Sequence, residues 1–163
     1  YYCSQFATKI FPYSQKYTQS PKVYASGLFY ARRKAMFQLS ERSQRHLDGV
    51  NPELVEVVKL AIQLTKVDFG VPVTGGYRTP EQQKALFDAG KSQRDGYQNK
   101  SHHQTGNAVD VFAYVDGKAS YDMGDLAQVA AAMLEAGHRL GVSIRWGGLW
   151  KSFVDGPHFE LAE

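Results

Sequence analysis

The chain has 163 residues, 43% hydrophobic and 21% charged, which suits one folded domain and is too apolar for a wholly disordered protein. No uninterrupted apolar run approaches the ~18 residues that cross a bilayer, so stable membrane insertion is not expected. The net charge of +3 is uneven: residues 1–35 carry six basic residues and no acid, whereas 36–163 carry 13 basic residues among 16 acids, a scattered balance that argues against a nucleic-acid partner.

Residues 1–35 also hold six of the ten tyrosines and show neither helical nor strand periodicity. They read as an appended or alternatively translated extension ahead of Met36, without the apolar stretch of a secretory signal; a basic, aromatic arm for a membrane or wall is the rival reading. Over 36–163 the signals are those of a compact α+β domain, a small antiparallel sheet flanked by helices. Asn51, Pro52 and Glu53 open a helix whose apolar face is Leu54, Val57, Val58, Ala61 and Leu64. "VPVTGGYR" is predicted as a strand loosened by Gly75 and Gly76. Thr79 and Pro80 start a second, short helix that Gly90 stops.

Residues 91–106 form a long polar loop, a length more often functional than not. "NAVDVFAYV" is predicted as one strand, with Ala108, Asp110 and Phe112 sharing a face. "DGK" turns the chain, Asp125–Leu140 is helical up to Gly141, and "VSIRWGG" and "HFELA" are two more short strands. Trp146 and Trp150 are expected in the core, with Trp146 the candidate to line a cleft.

Asp110 lies within an apolar strand, where an unpaired carboxylate would cost several kcal/mol to desolvate. A metal ion would compensate for it. His103 can reach the same point across Gly106, and the small Ala108 leaves room. Cys3 is the lone cysteine, so such an ion must be held by histidine and carboxylate. His46, His102, His138 and His158 are candidates for a third donor. His46 lies in a polar entry segment, His138 suits a helix C-terminus and His102 is expected to face solvent. His158 heads the last strand, with Asp155 three residues before it and Glu160 on the same strand face.

Ser101-x-His103-x-x-Gly106-x-Ala108-x-Asp110, followed by Asp155-x-x-His158, resembles the signature of the D-alanyl-D-alanine carboxypeptidase family of zinc peptidases. The similarity takes in "GGYRTPEQQ" and "RWGGLW" and omits the first 35 residues. That family shares its fold with hedgehog-type domains and includes D,D-dipeptidases, vegetative carboxypeptidases and the L-alanyl-D-glutamate peptidases used by tailed phages as endolysins. The resemblance implies that His103, Asp110 and His158 bind Zn2+ and that Asp155 stands where the family has its general base, often a glutamate. It further implies that Arg78 faces the scissile carbonyl and that Ser101 orders the motif or contacts substrate. Glu160 is the alternative base, or a group that orients a ligand.

These readings converge on a zinc-dependent peptidase of bacterial peptidoglycan stem peptides, most similar to the phage branch cutting between L-alanine and D-glutamate. It is expected to be monomeric, made in the host cytoplasm and admitted to the wall by a holin. A host D-alanyl-D-alanine carboxypeptidase and a non-catalytic zinc-containing wall-binding module are the alternatives.

Overall fold

Residues 36–162 are described by the computed structural model; the expected extension over 1–35 lies outside them. Helix α2, Pro52–Leu64, forms as its sequence dictates. The Asn51 side chain accepts from the Glu53 N–H, and Leu54, Val57, Val58, Ala61 and Ile62 are buried. Its partner is α4, Met123–Leu140, capped by Asp122 and stopped by Gly141 at φ 69°. The two helices pack together through the face that includes Leu126, Val129, Ala130, Met133 and Ala136, so the apolar stripes of both helices build one core. Ahead of them, where the sequence shows only a polar entry, Ser40 caps a five-residue helix, α1, Glu41–Arg45.

The mixed helix-and-strand architecture is as expected, but the strands form two antiparallel sheets rather than one. In the first, β1 (Asp68–Gly70), β3 (Phe112–Val115) and β4 (Lys118–Ser120) lie in that order; in the second the order is β2 (Ala108–Asp110), β6 (His158–Leu161) and β5 (Ile144–Trp146). The predicted single strand "NAVDVFAYV" is therefore two. It breaks at Val111, whose N–H donates to the Pro157 carbonyl, and Phe112 then pairs with Gly70. Phe112 consequently leaves the sheet that holds Ala108 and Asp110.

"VPVTGGYR" is not a strand. Only residues 68–70 are extended in a ladder, and the chain then turns, with the Gly75 N–H donating to the Pro72 carbonyl. Close backbone approach explains the paired glycines: a Cβ would sit 2.7 Å from the Asp110 carbonyl oxygen at Gly75 and 1.9 Å from the His46 carbonyl oxygen at Gly76. The short helix α3, Pro80–Asp88, is as predicted, with a full capping box between Thr79 and Gln82.

Because the obstacle at Gly76 is backbone and cannot rotate away, Gly76→Ala is expected to lower stability by about 3 kcal/mol or more, whereas Val73→Ala, at an exposed position, stays within about 0.5 kcal/mol of the parent. Thermal and denaturant unfolding measure both.

Candidate metal centre

The second sheet places two of the three predicted donors. Asp110 ends β2 and His158 begins β6, and the two are direct partners across the antiparallel pair, so their side chains leave the same face side by side. His103 comes from a 3-10 turn over His102–Thr105. Ser101 caps that turn, its hydroxyl accepting from the His103 N–H, while Gln104 completes a capping box and Gly106 closes it at φ 74°. A side chain at Gly106 would meet the Gly49 carbonyl oxygen at 2.5 Å, so the motif glycine serves both a left-handed turn and a close approach.

His103 Nε2, His158 Nδ1 and Asp110 Oδ1 converge at separations of 3.0, 3.2 and 3.3 Å. The outer ring nitrogens settle what these inner ones can do. His103 Nδ1 lies 2.8 Å from the Gly76 carbonyl oxygen, an acceptor only, so Nδ1 carries the proton. His158 Nε2 lies 3.2 Å from Glu160 Oε2, so that nitrogen donates too. Both neutral rings then turn lone pairs towards the carboxylate oxygen and each other. Such a triangle of acceptors demands a cation or a proton at its centre.

Zinc fits this donor set. Tetrahedral bonds of ~2.0–2.1 Å hold neighbouring ligand atoms roughly 3.3 Å apart, and two imidazoles with one carboxylate leave a fourth position for chemistry. The outer contacts are of the kind that orient metal ligands: a backbone carbonyl behind His103, and Glu160 behind His158. Glu160 is itself held by Arg145 at 2.6 Å. His102 lies 3.8 Å from the same carboxylate and is not in the triangle. His46 bonds to the Val71 carbonyl, and His138 sits in the last turn of α4.

Electrostatics follow from this crowding. Burial alone would raise the Asp110 carboxyl, but His103, His158 and Arg78 together hold it well below the usual carboxylate range. Burial also disfavours a charged His158, yet its bonds to Asp110 and Glu160 push its pKa up to about 9, the protonated imidazolium being the metal-free relief of the triangle. Asp155 is raised by burial and then by repulsion from Asp110.

Arg78 is buried beneath the site, where it pairs with Asp110 Oδ2, donates from Nε to the Thr74 carbonyl and from Nη1 to Gln83 Oε1. Above lies a cleft of about 670 Å³ lined by the three donors, Arg78, Ser101 and Asp155. Sequence reasoning missed Gln83, fully buried on α3, and misplaced Trp150. Trp146 is partly buried and stacks on the core residue Phe159, while Trp150 stands 5.2 Å from the His158 ring and lines the cleft. A glutamine on the inward face of a helix was the one signal for Gln83; nothing in "RWGGLW" separates its two indoles.

Fold and site together define an α+β protein with a triad of side chains that could hold a metal ion, lining a cleft. The sequence model of the phage L-alanyl-D-glutamate peptidase family matches residues 35–162. The L-alanyl-D-glutamate peptidase of Escherichia phage T5 is 32% identical over 138 residues, which cover 77% of this chain and 98% of that protein. The crystal structure of the L-Ala D-Glu endopeptidase ChiX of Serratia marcescens superposes with a TM-score of 0.69 at 38% identity, covering 78% of this chain and 92% of that one. The chain belongs to the phage L-alanyl-D-glutamate peptidase family.

Zinc added to metal-free protein at a hundredfold excess over its Kd is expected to add about 2.7 kcal/mol of stability, read as a rise in Tm. Asp110→Asn should abolish the rise. Glu160→Gln should weaken zinc affinity by about tenfold or more in a competition titration, since it loosens the His158 ring without removing a donor.

Proposed function

We propose that the chain is a zinc-dependent peptidoglycan peptidase, a phage endolysin that hydrolyses the bond between L-alanine and D-glutamate in bacterial stem peptides. The observation that carries this reading is the acceptor triangle of His103, Asp110 and His158, in a chain whose relatives are named for that bond. When bound, zinc supplies Lewis acidity and lowers the pKa of a water towards ~7.

The protein's own groups account for the remaining steps. Asp155 has its backbone tied to Gly147 and His158 while its side chain lines the cleft; it takes a proton from the attacking water and returns it to the departing amine. Glu160 is the poorer base, because both of its oxygens are already engaged, one by Arg145 and one by His158. Arg78 commits one N–H from each of its three nitrogens to the protein. The remaining N–H groups on Nη1 and Nη2 would meet charge growing on the substrate's carbonyl oxygen. Ser101 sets the angle of His103 and forms part of the cleft wall.

All of these side chains come from one chain, which supports action as a monomer. The phage character of the family supports synthesis in the host cytoplasm, with holin-type release to the wall.

Digestion of intact peptidoglycan, with analysis of the new termini, tests the assignment. New L-alanine carboxyl and D-glutamate amino termini are expected. Free D-alanine would instead mark a D-alanyl-D-alanine carboxypeptidase, and an unaltered wall would mark a binding module. Asp155→Asn is expected to cost at least about 100-fold in kcat with zinc content unchanged.

A further inference from the structure

The cleft has one rim that the steps above leave unused. It begins where α3 ends. Gly90 adopts φ 69° and donates to the Phe87 carbonyl, and the Lys91 N–H reaches back to the Leu86 carbonyl at 2.8 Å. This double closure fixes the backbone from which the Lys91 side chain leaves. Three residues on, Arg94 is anchored by the buried Gln83. The Gln83 Nε2 donates to Ser92 Oγ at 2.7 Å and to the Arg94 carbonyl at 2.9 Å, while its Oε1 accepts from Arg78. One amide thus ties the rim to the arginine that holds Asp110. Gly96 packs so closely on this amide side chain that a Cβ there would come within 3.0 Å of the Gln83 Cβ.

Lys91 and Arg94 both line the cleft, as does Arg145. Their electrostatic situations differ. Arg145 is neutralised by Glu160 at 2.6 Å, and the other acids of the cleft, Asp110 and Asp155, belong to the metal site. Neither Lys91 nor Arg94 has a carboxylate within 4.0 Å among the described residues. Residues 1–35 contain no acid that could supply one. Among the described residues the rim therefore presents two positive charges without an acidic partner, on a tethered backbone, beside a site that this family applies to a glutamyl bond.

We propose that Lys91 and Arg94 form an anion subsite for the free carboxylate of the glutamyl residue, and so bind the amine side of the scissile bond. The inference rests on the peptidase reading above and adds to it a determinant of substrate choice. A glutamyl residue with an unmodified carboxylate offers a negative charge to this rim, and a guanidinium can take it bidentately. Conversion of that carboxylate to a carboxamide removes the charge while leaving the scissile amide intact.

The test uses two synthetic stem peptides, one with the glutamyl carboxylate free and one with it amidated, cleaved by the full zinc-loaded chain. For the unsubstituted protein the ratio of kcat/KM, acid over amide, is expected to be about tenfold or more. In Lys91→Ala/Arg94→Ala it should fall to about one, with the loss on the acidic peptide appearing in KM. The charge-retaining pair Lys91→Arg/Arg94→Lys should restore most of the preference, an outcome that a purely structural role for the rim would not produce. The subsite is overturned if the double alanine variant keeps the parent ratio, or if the parent shows no preference. If the parent binds zinc and cleaves neither peptide, the peptidase reading itself fails, and the subsite falls with it.

Discussion

Two imidazole lone pairs and a carboxylate oxygen cannot share a space about 3 Å across without a positive charge between them. The rest of the site follows from that constraint. Each histidine is denied the escape of turning its N–H inward, because Gly76 and Glu160 claim the outer nitrogens. The fold imposes the conflict through backbone features: a cross-strand pairing that sets Asp110 opposite His158, and a capped 3-10 turn that delivers His103. A metal cation resolves it by bonding all three donors at once, whereas a proton on His158 resolves it only in part.

The surroundings make that arrangement rigid. Arg78 occupies the second oxygen of Asp110 and is itself held by Thr74 and Gln83, so the carboxylate has little freedom to swing away from the rings. Arg145 plays the equivalent part behind Glu160. Asp110 and His158 are thus backed by side chains that are themselves bonded, and His103 by a backbone carbonyl; buried polar groups connected in this way are both strongly oriented and costly to disrupt. Among the described residues no buried side-chain polar atom lacks a partner. The same network reaches the cleft rim through Gln83, so the rim and the geometry of Asp110 are linked by one amide group.

Much of this was legible in the sequence because helix caps and apolar spacing are local. Asn51 with Pro52, Thr79 with Pro80, and Gly141 mark helix ends without reference to the rest of the chain. The three converging side chains were legible for another reason: Asp110 in an apolar run has no local excuse, and the spacing from Ser101 to Asp110 resembles a zinc-peptidase signature. What the sequence hid was non-local. Val111 ends a strand because of Pro157, which is distant in sequence; Gly75 and Gly76 look like loosened strand until Asp110 and His46 are seen against them. Gln83 reads as one more polar residue in a polar helix, and its role depends on a loop that folds over it. Trp150 and Trp146 have similar neighbours in sequence and opposite roles in space.

We propose that His103 Nε2, His158 Nδ1 and Asp110 Oδ1 hold one zinc ion. X-ray absorption at the zinc edge, on protein loaded to one equivalent, addresses it most directly. The account predicts two imidazole nitrogens and a carboxylate oxygen at roughly 2.0–2.2 Å, with the histidine signal reduced in His158→Ala. A hydrated ion without imidazole scattering, or a spectrum that His158→Ala leaves unchanged, would contradict it.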